Sequence, residues 1–167
     1  VHNLWMQCIS PKFIIDQETL TRLLYRPGYA KHYVVRDPEG DHLLGFCATY
    51  LSYVDREGEK LIASLAVLLI PPAYRSRGVG LSLHKHGTTQ LQRTRGVTRV
   101  QLGSTYPRLF YGPPFEVYIN EQWFVRRGWQ LNSSSVQDLI LSYEDWPASV
   151  NLPLTDNMSF QQCTQNR

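Results

Sequence analysis

One stretch constrains this chain more than any other. The apolar run Leu65-Ala66-Val67-Leu68-Leu69-Ile70 meets Pro71-Pro72-Ala73-Tyr74, then Arg75-Ser76-Arg77-Gly78-Val79-Gly80, and Leu81-Ser82-Leu83 opens a helical pattern. An apolar strand, a basic glycine-rich turn and a helix start therefore follow one another directly. Such a turn aims several backbone amides at one point, and the positive end of the helix dipole reinforces them, so the segment suits a pyrophosphate. Gly78 and Gly80 let a ligand approach the backbone closely, while Arg75 and Arg77 add charge. Other phosphate-binding patterns do not fit. No Lys-Ser or Lys-Thr follows the glycines as in a P-loop, and the turn comes too late to follow the first strand of a dinucleotide fold. The plainer alternative is a helix entry with a solvated arginine pair.

The elements around this stretch read in order. Asp16 is placed to cap a helix with Leu20, Leu23 and Leu24 on one face, Ile15 and Leu20 as a hydrophobic staple, and Pro27-Gly28 as its end. Residues 32–36 read as a strand, and residues 43–53 and 61–70 as the two arms of an antiparallel hairpin around Asp55-Arg56-Glu57-Gly58. After the basic turn, Val79, Leu83, Gly87 and Leu91 line one helix face, with Gly96 as the expected cap. Residues 97–102 return to a strand, which makes a βαβ crossover and a parallel pair. Residues 103–119 show no periodicity, and a connection that long is often functional. Asn120 is placed to cap a short helix through Arg127, Gly128 to stop it, and residues 129–131 and 136–143 read as closing strands.

The 167 residues suit one domain of 1–145 with a loosely packed tail of 146–167, and a 43% hydrophobic content is enough for a core without disulfides. The net charge of +3 is mild and its basic residues are scattered, which fits a small anionic ligand and not a nucleic-acid track. Cys8, Cys47 and Cys163 have no metal-ligand spacing, so no metal is expected, and a reducing, cytoplasmic compartment is the simpler reading. No apolar run reaches the roughly 20 residues that span a bilayer, so no membrane partner is expected. The chain begins at Val1, which is compatible with a piece of a longer protein.

Arg75-Ser76-Arg77-Gly78-Val79-Gly80 matches the R-x-x-G-x-G signature of the GNAT superfamily of N-acetyltransferases, in the strand, turn and helix context that family requires. Phe124-Val125-Arg126-Arg127-Gly128-Trp129 is similar to its late Y-E-K-x-G-F element. The resemblance extends over about residues 43–131. It implies an α/β (α+β) fold whose mixed, mostly antiparallel central sheet is flanked by helices and splayed between residues 61–70 and 97–102 to hold CoA. It implies acetyl-CoA as co-substrate, with its pantetheine arm along Leu65, Ala66 and Val67. Arg75, Ser76, Arg77, Gly78, Val79, Gly80, Phe124 and Arg127 complete the implied cofactor set, and the acceptor amine attacks the thioester directly.

The family's usual proton carriers are missing. Ser64 stands where many members have a glutamate base, and Phe124 where many have an acidic tyrosine. Glu116 and Tyr118, on the long loop, join Ser64 as candidate catalytic positions, and Glu121 and Asp55 as acceptor contacts. Ser104, Thr105, Arg108 and Tyr111 could meet hydroxyls of an acceptor against a wall of aromatics and prolines. His84 and His86 lie at i, i+2 and face different ways, which argues against a paired role. Gly103-Ser104-Thr105-Tyr106-Pro107-Arg108 and Tyr111-Gly112-Pro113-Pro114 are similar to acetyltransferase-type domains fused to fungal β-N-acetylglucosaminidases. That likeness implies a small-molecule acceptor, an amino sugar such as glucosamine, and other domains of a longer chain or a homodimer as partners. Two alternatives stay open: a non-catalytic acyl-CoA-binding module, and acetylation of protein lysines or N-termini.

Overall fold

The computed structural model describes residues 1–40, 42–54, 60–104, 109–110, 112 and 119–131. Internal contacts divide the chain after Ser133, and every described residue belongs to the first part. The expected tail of 146–167 and the strand expected over 136–143 lie outside the described residues.

Among the described residues four strands form one sheet in the order β1 (Ala30–Arg36), β2 (Leu43–Tyr53), β3 (Leu61–Leu69) and β4 (Val97–Leu102). The β1–β2 and β2–β3 pairs are antiparallel, and β3–β4 is parallel. Helix α3 (Val79–Gln92) makes the crossover between the parallel strands. The mixed, mostly antiparallel sheet flanked by helices is thus the fold the sequence implies. Because side chains of a strand alternate between faces, β2 feeds two cores. Phe46, Ala48 and Tyr50 meet Ala66, Val67 and Leu69 beneath α1 (His2–Cys8) and α2 (Gln17–Leu24), which contribute Leu4, Trp5 and Leu20. On the other face Cys47, Ala63 and Leu65 pack with Leu83 and Leu91 of α3. No helix among the described residues is long and apolar enough to cross a membrane.

Helix α2 begins as expected, with the Asp16 carboxylate accepting from the Thr19 amide at 2.8 Å. Its end differs. The helix stops at Leu24, so Pro27 and Gly28 belong to the turn into β1. The orphan carbonyls of its last turn are taken up by the sheet. Tyr50 Oη donates to the Leu23 carbonyl at 3.0 Å, and His32 Nε2 donates to the Leu24 carbonyl at 2.8 Å while its Nδ1 accepts from the Thr49 amide at 3.3 Å. The His32 ring is therefore neutral, and burial lowers its pKa, against the pull of the Leu24 carbonyl.

Three other expectations are corrected. Helix α3 ends at Gln92, and Gly96 sits in the turn before β4, where its carbonyl accepts from the Leu61 amide at 2.8 Å. Asn120 lies inside α4 (Ile119–Val125) and is not its cap. Residues 129–131 belong to no strand among the described residues. Helix α1 was not anticipated: Leu4, Trp5 and Cys8 fall on one side of it, but seven residues are too few for a period to stand out.

Tyr50 is 1% exposed, so Tyr50→Phe leaves the Leu23 carbonyl buried without its donor. Chemical denaturation should show a loss of about 1–2 kcal/mol with an unchanged denaturant slope.

Candidate ligand site

Pairing of β3 with β4 runs from Leu61 opposite Val97 to Leu65 opposite Leu102, and the Gly103 amide closes it on the Leu65 carbonyl at 2.9 Å. Beyond Leu65, β3 continues along β2 alone among the described residues. The register against β2 also shifts here, from Ala48 opposite Val67 to Thr49 opposite Leu65. Ala66 is left over as a β-bulge, which bends the strand and increases its local twist. The two parallel strands part at this place, and a cavity of about 500 Å³ occupies the gap. That volume lies within the roughly 300–1,000 Å³ of small-ligand pockets. Its walls are residues 65–69 of β3 with Ile70 just after it, Leu102 and Gly103 at the end of β4, the N-terminal segment from Cys8 to Ser10 with Phe13, and Trp123 and Phe124 of α4.

At one end the cavity reaches the basic turn through Arg75, Ser76, Gly78 and Gly80. Gly78 is the N-cap residue of α3 with φ +86°, a left-handed conformation that glycine adopts without strain. Helix α3 has no side-chain cap and no acidic residue in its first turn, so its leading amides and its dipole are left to a ligand. A Cβ on Gly80 would lie 3.4 Å from Ile70 Cγ1, so Gly80 is not demanded by packing inside the protein. Arg75 is anchored by its Nε, which donates to the Ile70 carbonyl at 3.1 Å. It lies beside Cys8, whose thiol burial pushes up against the pull of that guanidinium. Arg77 turns away, 5.7 Å from the centre of the Tyr74 ring, and does not line the cavity. The Tyr74 hydroxyl in turn meets His42 Nε2 at 3.2 Å, and His42 pairs with Asp37 at 2.9 Å.

Just past α4, Arg127 lies 3.6 Å over the Trp123 ring and donates from one terminal nitrogen to the Trp123 carbonyl. Its Nε is buried without a hydrogen-bond partner among the described residues. A buried donor left unpaired is costly, so a ligand acceptor would be favoured there.

Of the residues expected to hold a cofactor, Leu65, Ala66, Val67, Arg75, Ser76, Gly78, Gly80, Phe124 and Arg127 line the cavity together, whereas Arg77 and Val79 do not. Ser64 does not face it either. It is 2% exposed, and its Oγ accepts from Gln101 Nε2 at 3.1 Å. Ser104 is buried just past β4, with its amide on the Phe110 carbonyl at 2.8 Å, and Glu121 stands in the first turn of α4; neither lines the cavity. Glu116, Tyr118, Thr105, Arg108, Tyr111 and Asp55 lie outside the described residues. Sequence reasoning missed the wall made by Cys8, Ile9, Ser10 and Phe13, and missed Trp123. The apolar spacing of Leu4, Trp5 and Cys8 was the one signal for the first. Among the described residues no cluster of His, Cys, Asp or Glu could hold a metal.

The sequence profile of the acetyltransferase (GNAT) family matches residues 1–110. No curated protein sequence matches the chain. Among solved structures it is similar to the GCN5-related glucosamine N-acetyltransferase region of a fungal multi-domain GH3 β-N-acetylglucosaminidase, with a TM-score of 0.70 and 28% identity over 80% of this chain and 16% of that one. The chain thus spans a small part of that enzyme. A putative acetyl transferase from Pyrococcus furiosus (TM-score 0.53, 19% identity, 74% of either chain) shares the fold. So does an aminoglycoside acetyltransferase from an uncultured soil metagenomic sample (TM-score 0.53, 16% identity, 77% of this chain and 76% of that).

The two glycines of the turn should respond differently to alanine. Gly78→Ala forces a left-handed alanine and should cost about 1–2 kcal/mol of stability. Gly80→Ala has room and sits in a helix, so it should be neutral or stabilising by up to about 1 kcal/mol. Equal stability of Gly78→Ala and the wild type in urea denaturation would refute the left-handed cap.

Proposed function

Because the chain belongs to the acetyltransferase (GNAT) family, we propose that it transfers the acetyl group of acetyl-CoA to a primary amine of an amino sugar such as glucosamine. Members of that family use acetyl-CoA and act on small-molecule or protein amines. The observation that carries the reading is the parting of β3 from β4 at the Ala66 bulge, which opens a cavity running to the uncapped start of α3. A long ligand with a phosphate-bearing end and an uncharged arm fits that combination. Arg75, Ser76 and the backbone at Gly78 and Gly80 would take the pyrophosphate, and Leu65, Ala66 and Val67 the pantetheine arm. The apolar walls from β3, Phe13, Trp123 and Phe124 would keep water from the thioester.

The reaction joins the acceptor nitrogen to the acetyl carbon, breaks the carbon–sulfur bond and sends the proton of the amine to a base. Ser64 has no basic group to offer, and Phe124 no proton to donate. Glu116, next to Pro113-Pro114, is our assignment for the base, with Tyr118 beside it. Ser104, Thr105, Arg108, Tyr111, Glu121 and Asp55 are assigned to the acceptor. Likeness to the solved glucosamine N-acetyltransferase region supports the amino sugar.

The commitment of Ser64 to Gln101 and the phenyl ring at Phe124 favour a second reading, a non-catalytic acyl-CoA-binding module. An acceptor screen separates the two. Thiol release from acetyl-CoA is followed with glucosamine, other amino sugars, polyamines and peptides. Release with amino sugars alone supports the proposal; confirmed acetyl-CoA binding without release from any acceptor supports the module. Glu116→Gln should lower turnover with glucosamine by about 10²–10⁴-fold while acetyl-CoA affinity in calorimetry stays within a few-fold of wild type. Unchanged turnover would remove Glu116 from the mechanism.

A further inference from the structure

The two histidines of α3 have separate surroundings. His86 is exposed and its ring meets Tyr33 at 4.7 Å, whereas His84 is only 7% exposed and sits beneath the cavity wall formed by α4. The chain reaches His84 from α4 through a helix-ending turn. Gly128, at φ +83°, donates to the Val125 carbonyl at 3.0 Å, and the Trp129 amide reaches back to the Phe124 carbonyl at 3.3 Å. These are the two bonds of a Schellman motif, and they throw Trp129 back toward α3. There its Nε1 donates to His84 Nε2 at 2.8 Å.

An indole N–H can only donate, so His84 Nε2 must carry a lone pair and the ring proton must sit on Nδ1. The same ring makes edge contacts with Trp123 at 5.3 Å and Trp129 at 5.9 Å, and a tilted contact with Phe124 at 6.3 Å. Trp123 and Phe124 line the cavity, and His84 does not. It is the polar post of an otherwise aromatic joint between α3 and that wall.

We propose that neutral His84 is a positioning residue: by accepting the Trp129 indole N–H it holds the Trp123 and Phe124 wall of the cavity in place, and its protonation releases that wall. The inference rests on reading the cavity as the acetyl-CoA site. Protonation would set an Nε2–H against the Nε1–H of Trp129, two donors facing each other, and would bury a cation. Arg127, in the turn after α4, is the one charged group among the described residues that acts on the ring. On α3, Thr88 Oγ1 donates to the His84 carbonyl and not to its ring, and Nδ1 has no partner among the described residues. Burial first, and Arg127 second, lower the pKa of His84 from its ordinary 6.5. A lowered folded pKa means that the docking is complete above 6.5 and is lost as pH falls through the lower value.

The test uses the full chain, with acetyl-CoA affinity measured by calorimetry from pH 7.5 to 5. His84→Gln supplies an amide oxygen that accepts from Trp129 without titrating, and His84→Leu supplies none. At pH 7.5 the Gln variant should bind within about threefold of wild type and the Leu variant about tenfold or more weakly. Between pH 7.5 and 5 the wild type should lose about tenfold relative to the Gln variant, a ratio from which protonation of the ligand's own phosphates cancels. A parallel NMR titration of the Trp129 indole N–H, assigned with Trp129→Phe, reads the joint without ligand. Its resonance should move with His84 ionisation in the wild type and stay still in His84→Gln. If His84→Leu does not fold, the wild-type and Gln comparison carries the test. Equal acid loss in wild type and His84→Gln, or an indole resonance that ignores pH, would overturn the proposal. Absence of acetyl-CoA binding by the wild type at every pH would overturn the reading of the cavity, while the indole titration would still decide whether His84 and Trp129 form the joint.

Discussion

Between Leu61 and Leu65, β3 is held on both edges, by β2 and by β4; from Ala66 onward β2 alone remains among the described residues. A parallel strand pair that continued to Leu69 would leave no gap, and the cavity would not exist. The extra residue at Ala66 absorbs the change, because a bulge lets one strand bend while keeping most of its ladder to the antiparallel neighbour. The turn at Gly78, the N-terminal wall and α4 are all arranged around the space that this break opens.

The break is held in place by two unlike cores. On the α3 side the contact is aliphatic, Leu83 and Leu91 against Ala63 and Leu65. On the other side it is aromatic and hydrogen-bonded. Trp5 donates its indole N–H to the Phe13 carbonyl at 3.0 Å and stacks on Phe110 at 5.6 Å, and Phe110 meets Phe13 edge-on. These contacts fold residues 8–13 across the mouth of the gap, while Tyr50 and His32 fasten α2 to the sheet behind them.

Charge is sparse inside this arrangement. Arg75 and Arg127 both line the cavity, each tied by a hydrogen bond to a backbone carbonyl. An arginine fixed in this way loses little further side-chain entropy when an anion or a carbonyl meets it. The cavity thus combines two fixed cations with a long apolar wall from β3, Phe13, Trp123 and Phe124, a pairing that suits a ligand with a charged head and an uncharged arm.

The sequence by itself determined the local pieces. The apolar run 61–70, the glycines after Arg77 and the i, i+4 spacing of Leu83, Gly87 and Leu91 specify strand, turn and helix, because each depends on neighbours a few residues away. It was also enough to bring Leu65, Ala66, Val67, Arg75, Ser76, Gly78 and Gly80 to one site, since they lie along a single strand and the turn that follows it. Tertiary structure decided what depends on distant partners. Arg77 turns onto Tyr74, Ser64 is taken by Gln101, and the N-terminal segment becomes a wall because Trp5 finds Phe110. His84 and Trp129 are 45 positions apart, and no periodicity in either segment encodes their bond. The bulge at Ala66 belongs to the same class: an extra residue in a ladder is defined only against the strand it fails to match, so it exists only once β2 and β3 have paired.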